Sequence, residues 1–237
     1  MHLSELADVG PFFALRTGAV PPDAAAGRLP LGPDAVRARV AVVGERLGTA
    51  ETRVAASVAF QGIAGRLLSI VLGSAVLTGR VPDLAAGDLR WSPVAGAPDD
   101  LWSPSPAALP PGAEGRVLRE LLVPLHDATR EVASVSSRIL WGNAGSALAG
   151  SLRVLHGWCL ARGRDADAER AVDVARDLLA DPLLRDTGVL RTRGAGGPTF
   201  LRRTCCLYYR VPGGGLCGDC VLRHPPRQSA RRRAGGH

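Results

Sequence analysis

The chain has no lysine, and all 29 of its basic residues are arginine. Aromatic residues make up only 4% of the sequence, which predicts a core of Leu, Val and Ala. Neither a Walker-type loop nor a G-x-G-x-x-G motif between a strand and a helix is present, so no nucleotide site is expected. The start of the chain lacks the basic and apolar regions of a signal peptide. The apolar run at residues 67–77 is shorter than the roughly 20 residues that cross a bilayer. These absences predict a cytoplasmic protein with no membrane span.

Cysteine is also scarce, yet four of the five cysteines lie within sixteen residues near the C-terminus. They are Cys205, Cys206, Cys217 and Cys220, in the pattern C-C-x10-C-x2-C. The glycines at 213–215 allow the chain to double back, which brings the second pair of thiolates towards the first. Four thiolates gathered in this way predict a metal or iron–sulfur site.

The spacing alone leaves structural zinc and a pair of disulfides open. Zinc sites usually take their ligands from two separated C-x2-4-C knuckles, and the adjacent pair Cys205-Cys206 departs from that pattern. Neighbouring side chains of an extended strand point to opposite faces, so the backbone has to bend at this pair. Disulfides are rare in a cytoplasmic chain that is long enough to bury a core. The fifth cysteine, Cys159, lies on the apolar face of a predicted helix and is expected to be a buried, inert thiol.

The cysteine signature, within Arg-Arg-Thr-Cys-Cys-Leu-Tyr-Tyr-Arg at residues 202–210, resembles the C-terminal signature of the FhuF-type ferric-siderophore reductases. Shorter stretches also resemble positions of that family and extend the likeness over roughly residues 50–225. They are Arg53-Val54-Ala55-Ala56-Ser57 with Gln61, Gly79-x-Val81-Pro82, Leu89-x-Trp91 and Leu140-Trp141-Gly142-Asn143.

The resemblance implies that the four cysteines bind a [2Fe–2S] cluster, which reduces ferric iron held by a siderophore. It also implies two partners, a ferric siderophore as substrate and an external electron donor such as a ferredoxin or a flavoprotein. No catalytic residue beyond the cluster and its ligands is expected.

Positive charge is concentrated around the cysteines. Residues 1–200 carry 21 Arg and 21 acidic residues, whereas residues 201–237 carry eight Arg and one acid, Asp219. Arginine close to an anionic cluster would stabilise it and raise its reduction potential. We expect Arg202, Arg203, Tyr209 and Arg210 to dock an anionic substrate or donor. The basic tail, residues 225–237, is expected to be disordered.

A second class of function stays open. A zinc-stabilised binding module could use the basic C-terminus to contact nucleic acid or a protein partner. The charge is confined to about 35 residues and few aromatic residues are interleaved with it, so nucleic acid is not expected as a partner. A third interpretation is a siderophore-binding protein whose cluster has a sensing role and does not reduce the bound ferric iron.

Hydrophobic periodicity predicts a mainly α-helical (α+β) protein with a small β element. Helices are predicted over residues 33–47, 51–79, 114–122, 126–139, 143–161 and 165–180, with an interruption at Pro124. Leu89-x-Trp91 and Leu101-Trp102 are candidate short strands of a hairpin or an irregular β insertion, and a Pro-rich connection stays open for this region. Both tryptophans are expected to be core anchors. Residues 182–198 are predicted to be a connection, and residues 200–211 a strand or extended segment that leads through the first two cysteines. The predicted organisation is a helical, siderophore-facing domain at 1–198, a [2Fe–2S]-binding segment at 199–224 packed on it, and the tail.

Overall fold

The computed structural model describes residues 3–20, 27–85, 89–96, 100–192, 197–224 and 226. Its helices, in chain order, are α1 (Ser4–Val9), α2 (Pro33–Arg46), α3 (Thr52–Thr78), α4 (Gly115–Val117), α5 (Val123–Val132), α6 (Ser137–Leu160) and α7 (Asp165–Ala180). Its strands are β1 (Leu29–Pro30), β2 (Val81–Pro82), β3 (Arg90–Trp91), β4 (Leu101–Trp102), β5 (Ala108–Leu109), β6 (Gly188–Arg191) and β7 (Thr199–Arg202). The predicted fold class, mainly α with a small β element, is confirmed.

Helices α3 and α6 pack along each other at the centre of the fold. α3 is also covered by α2 and α7, and it is buried on all sides over most of its length. The prediction of a buried core helix in this region is confirmed. By length and hydropathy α3 could cross a membrane, but 83% of its most apolar window is buried inside the protein. A core helix passes the same test, so this feature is weak support for a membrane span.

Local signals in the sequence fix the ends of these helices. α2 begins with Pro33 in its first turn, where a missing backbone N–H leaves no bond unmade. α3 ends at Gly79, whose φ of 67° is the left-handed conformation that glycine adopts without strain. α7 has the bounds predicted from its periodicity.

The strands form small antiparallel sheets in the orders β1-β3-β4, β2-β5 and β6-β7. Strands β3 and β4 are the two predicted strands, and they pair with each other: Arg90 lies opposite Trp102, and Trp91 opposite Leu101. Both tryptophans are buried, as expected of core anchors.

A buried ion pair between Arg66 and Asp100, 2.8 Å apart, links α3 to the β region. Arg66 also donates hydrogen bonds to the carbonyl oxygens of Phe12 and Ala14. The N-terminal segment is therefore fixed against the middle of α3.

Three predicted features are wrong in their boundaries. A π-helical turn, Leu118–Leu122, joins α4 to α5, so the chain is not interrupted at Pro124, which lies in the first turn of α5. α6 begins at Ser137, six residues before the predicted start. Residues 188–191 form strand β6, although the prediction places them in a connection. Strand β7 ends at Arg202, whereas the predicted extended segment continues to residue 211.

The segment that carries the clustered cysteines follows β7 and packs on α3 and α6. The division into a domain at 1–198 and a segment at 199–224 stays a prediction. The tail predicted at 225–237 lies outside the described residues, apart from residue 226.

Candidate metal centre at the C-terminal cysteines

The four clustered cysteines lie in the loops that follow β7. Cys205 and Cys206 precede a short 3-10 turn, Tyr208–Arg210, and the glycine-rich stretch after it leads back to Cys217 and Cys220. Cys206 is buried, and the other three are half-buried. All are free thiols, so the disulfide alternative gains no support.

Leu207 makes the bend that two adjacent cysteines require. Its φ is 69°, and among the described residues it is the only non-glycine with a positive φ. A side chain other than glycine in this left-handed region costs about 1–2 kcal/mol, so the surrounding loop has to hold Leu207 there. The bend turns the two thiols towards the second cysteine pair: Cys206 interacts with Cys217, and Cys220 interacts with both Cys217 and Cys205.

Each of the four thiols accepts a backbone N–H from the residue two positions later. The N–H of Leu207 donates to Cys205 Sγ and that of Leu222 to Cys220 Sγ, each at 3.4 Å. The N–H groups of Tyr208 and Asp219 serve Cys206 and Cys217 in the same way. Hydrogen bonds to thiolate sulfur stabilise its negative charge and tune the potential of a bound iron–sulfur group. The loops are therefore built to present thiolates.

The four clustered thiols are the donors that the site offers to a metal group. Within the described part of the chain, no three His, Cys, Asp or Glu side chains converge on one metal position. A tetrahedral zinc site with four cysteine ligands would need all four sulfurs at about 2.3 Å from one ion. A [2Fe–2S] cluster has two irons and needs two thiolates at each. Four cysteine thiolates, two for each iron, are the donor set that a [2Fe–2S] cluster needs.

The innermost thiols, Cys206 and Cys217, form a hydrogen-bonded pair. The hydrogen bond from Cys206, assisted by the charge of Arg202, lowers the pKa of Cys217 to about 5. The same hydrogen bond, together with burial, raises the pKa of Cys206. The positive charge of the Arg202 guanidinium therefore favours a thiolate at Cys217.

Arg202 is fully buried beneath the cysteines, at 0% exposure. Its Nε donates to the carbonyl oxygen of Thr204 at 2.7 Å, and its Nη2 donates to Asn143 Oδ1. Its Nη1 is buried and has no hydrogen-bond partner in the described structure. A buried cation with one free donor beside thiols suits an anionic group bound at the thiols.

The hydrogen-bond network continues from Arg202 to the backbone of the cysteine loop. Asn143 Nδ2 donates to both the carbonyl and the hydroxyl oxygen of Ser57, each at 2.8 Å. The hydroxyl of Ser57 donates to the carbonyl of Cys206 at 2.7 Å. All these groups are buried. The network therefore ties α3, α6 and β7 to the first cysteine pair.

Asp219 anchors the second cysteine pair. It lies between Cys217 and Cys220 and is buried, although it is charged. Its carboxylate accepts a hydrogen bond from Ser146 Oγ at 2.6 Å and forms an ion pair with Arg153 at 2.8 Å. Both partners belong to α6, so the C-x2-C loop is held on the same helix that carries Asn143.

A cavity of about 700 Å³ opens beside the cysteines, between α3 and α6. Cys206 and Cys217 form part of its wall, together with Tyr208. Phe12 and Phe13 of the N-terminal segment also line it. A group bound at the thiols would therefore lie next to this space.

Comparison with known proteins identifies the cysteine segment. Residues 202–222 match the model of the FhuF 2Fe-2S C-terminal domain. A stretch of 111 residues is 28% identical to the ferric siderophore reductase of Escherichia coli (strain K12). Together these matches support the FhuF-type family. Both matches agree with the resemblance found from the cysteine signature.

The two matches cover limited parts of the proteins. The relative aligns with 45% of this chain and the alignment spans 39% of that protein's own length. The FhuF model covers the end of β7 and the four cysteines.

The four residues predicted to dock a substrate or an electron donor differ in burial and in their partners. Arg202 is fully buried, so it cannot meet a docking partner at the surface; it acts instead beneath the thiols. The side chain of Arg203 is 54% exposed and pairs with Asp186. Arg210 is half-buried, pairs with Glu51 at 2.7 Å and interacts with Tyr209. Docking therefore stays a prediction for Arg203, Tyr209 and Arg210.

Three groups that support the cysteines have no role at the metal centre predicted from the sequence. Asp219 enters the sequence reasoning only as a charge, although its position between two cysteines is a usable signal. Ser57 and Asn143 enter it as positions that resemble the family, and Asn143 also as the cap of the helix predicted at 143–161, although it lies inside α6. Their meeting across two helices shows why they matter to the site.

Proposed function

We propose that this protein is a cytoplasmic ferric-siderophore reductase that holds a [2Fe–2S] cluster on Cys205, Cys206, Cys217 and Cys220. The observation that carries the proposal is the set of four thiols, each given a backbone N–H, within the segment that matches the FhuF 2Fe-2S domain. The relative's printed activity, ferric siderophore reduction, supports the choice of substrate. When bound, the cluster would supply one-electron transfer.

The residues of the chain prepare the site for an anionic group. Arg202 supplies a buried positive charge, and Asn143 and Ser57 hold that charge and the Cys206 backbone in place. Asp219 fixes the second loop on α6. These contacts leave little freedom for the thiols to move, which favours rapid electron transfer because the site needs little rearrangement.

The reaction transfers one electron from an external donor to the chelated iron, and Fe(III) becomes Fe(II). No bond to the protein forms and no proton transfer is required, so we assign no acid or base. Hard oxygen ligands bind Fe(II) more weakly than Fe(III), and reduction therefore releases the iron.

We propose that the donor, a ferredoxin or a flavoprotein, docks at Arg203, Tyr209 and Arg210. These residues flank the cysteines and are partly exposed. An acidic electron-transfer protein is attracted to such a cationic surface, and salt weakens the attraction.

The ligand assignment is tested with Cys206→Ser and Cys217→Ser, and Cys159→Ser serves as the matched control. Cys159 is the buried thiol of α6, outside the cluster of four. We expect the first two variants to lose the cluster and the reduction of ferric siderophores, measured with an Fe(II)-specific dye. Full iron and sulfide content in either variant would refute the assignment.

The docking proposal is tested with the double variant Arg203→Gln and Arg210→Gln, with Arg116→Gln as the control. Arg116 lies near Asp83, beyond the C-terminal end of α3, whereas Arg210 pairs with Glu51 at its N-terminal end. The 27 residues of α3 separate these ends by about 40 Å. We expect the double variant to slow electron uptake from a donor protein at low salt and to match the wild type at high salt. An effect that is independent of salt would assign these arginines to structure instead.

A further inference from the structure

The cavity beside the cysteines is enclosed by the two central helices. Val58 and Gly65 of α3 and Ala147 and Val154 of α6 line it, and Phe12 lies at its edge with 45% of its surface exposed. The wall is thus mainly apolar, and its cysteine side would carry the redox group of the proposed function. A volume of about 700 Å³ is within the range of small-molecule binding sites.

Two glycines in the cavity wall have no explanation in the packing of the helices. Gly62 lies inside α3, and a Cβ placed there would meet no atom within 4 Å. Gly150 lies inside α6, and its Cβ would meet only Arg153 Nη2, at 3.8 Å. Glycine weakens a helix interior, so an open position normally favours alanine or a larger residue.

Two other glycines of the same helices do have such an explanation. A Cβ at Gly73 of α3 would lie 2.8 Å from Phe13, and one at Gly145 of α6 would lie 2.2 Å from Thr187 Oγ1. Gly62 and Gly150 differ from these because the volume beside them is empty space of the cavity. Their effect is to keep that space open.

Most polar groups of the wall bond to one another: Ser69 with Ser151, and Ser146 with Asp219. The amide of Gln61 and the hydroxyl of Tyr208 line the cavity and make no hydrogen bond within the described part of the chain. The charged lining residues, Arg153 and Asp219, pair with each other. The cavity therefore offers apolar surface and two neutral side chains that are free to hydrogen-bond a ligand, Gln61 and Tyr208, and it suits an organic frame of low charge density.

We propose that this cavity binds the organic frame of the ferric chelate, with the chelated iron towards Cys206 and Cys217, and that Gly62 and Gly150 set the size of the site. The inference rests on the proposed function. One electron passes from the external donor, through the protein, to the chelated Fe(III), which becomes Fe(II). Gln61 and Tyr208 orient the frame by hydrogen bonds.

The site is tested with Gly62→Leu and Gly150→Leu in the cluster-loaded protein, and Gly157→Leu is the matched control. Gly157 also lies inside α6 with no atom within 4 Å of its Cβ, but it is outside the cavity. The probes are gallium(III) complexes of a trihydroxamate, a tricatecholate and citrate. Gallium(III) is not reduced under these conditions, so calorimetric titration measures binding without electron transfer.

We expect the wild type and Gly157→Leu to bind at least one gallium complex equally well. Both cavity variants should weaken that binding by at least about tenfold, because a leucine fills space that the ligand needs. Iron and sulfide content should stay unchanged. The milder variants Gly62→Ala and Gly150→Ala add one methyl group each. They should fold at least as stably as the wild type, and they should weaken binding less than leucine does. They provide the test if a leucine variant loses its cluster.

Two results would overturn the site: no gallium complex binds the wild type, or the cavity variants bind as the wild type does. The proposed function fails separately. If the cavity variants lose binding but the wild type does not reduce the matching ferric complexes, the site is upheld and the reductase function is refuted. Reduction that is unaffected by the leucines would uphold the reductase and refute the site.

Discussion

Replacing Arg202 by methionine removes the buried charge beneath the cysteines and keeps most of the side-chain volume. In the wild type, this guanidinium donates to the carbonyl oxygen of Thr204 and to Asn143 Oδ1, and it lowers the pKa of the Cys217 thiol. The methionine side chain can do none of these. The two acceptors are left buried without their donor, and the thiolates lose their counter-charge.

The size of the effect follows from the lost contacts. A hydrogen bond to a charged group contributes about 1.5–3 kcal/mol, so two of them amount to roughly 3–6 kcal/mol. Burying a guanidinium with a free Nη1 has a desolvation cost of its own, which the variant recovers in part. We therefore expect the free energy of unfolding to fall by about 3 kcal/mol, near the lower limit of that range, out of a total of about 5–15 kcal/mol.

The assay is urea unfolding of the cluster-loaded protein under anaerobic conditions, followed by the visible absorbance of the cluster and by circular dichroism. Arg202→Lys is the control, because it keeps the charge and loses the planar fork. We expect Arg202→Met to unfold at the lowest urea concentration and to have a lower reduction potential than either of the other proteins. A methionine variant within about 0.5 kcal/mol of the wild type, at an unchanged potential, would refute the role given to Arg202.

Three further predictions concern the surroundings of the site. Gly145→Ala should lower stability by about 1–3 kcal/mol, because its Cβ would lie 2.2 Å from Thr187 Oγ1, whereas Gly150→Ala should not lower it; thermal unfolding compares the two. Leu207→Gly should keep the cluster because glycine accepts φ 69°, and Leu207→Val should lose it more readily on dilution into chelator. Burial raises the pKa of the Cys159 thiol, so alkylation of the native protein at this residue should require a pH above the ordinary thiol range; mass spectrometry showing rapid labelling at pH 7 would contradict its burial.

The parts of the fold that the sequence predicts well are those with strong local signals. α3 is predominantly apolar and ends at a glycine, and α7 has clear amphipathic periodicity, so their bounds follow from the residues themselves. The β6-β7 hairpin escapes prediction because β6 is four residues long and one of its ends is a glycine, which favours a connection. The early start of α6 at Ser137 escapes it because the helix gains its first turns from packing rather than from periodicity.

The residues of the site also differ in how well the sequence predicts them. The cysteines are found from their spacing because cluster ligands are close in sequence. Their supports are not: Ser57 and Asn143 are 86 positions apart, and Arg202 meets Asn143 over 59 positions. Such contacts depend on the packing of α3 against α6. The burial of Arg202 likewise depends on tertiary structure, which is why the sequence alone places its charge at the surface.

The most direct test of the central claim is anaerobic purification followed by a visible spectrum and by counts of iron, acid-labile sulfide and zinc per chain. The proposed site predicts a brown protein with about two irons and two sulfides per chain, which bleaches on reduction. A colourless protein that carries one zinc would contradict it, and would support the binding module stabilised by zinc instead.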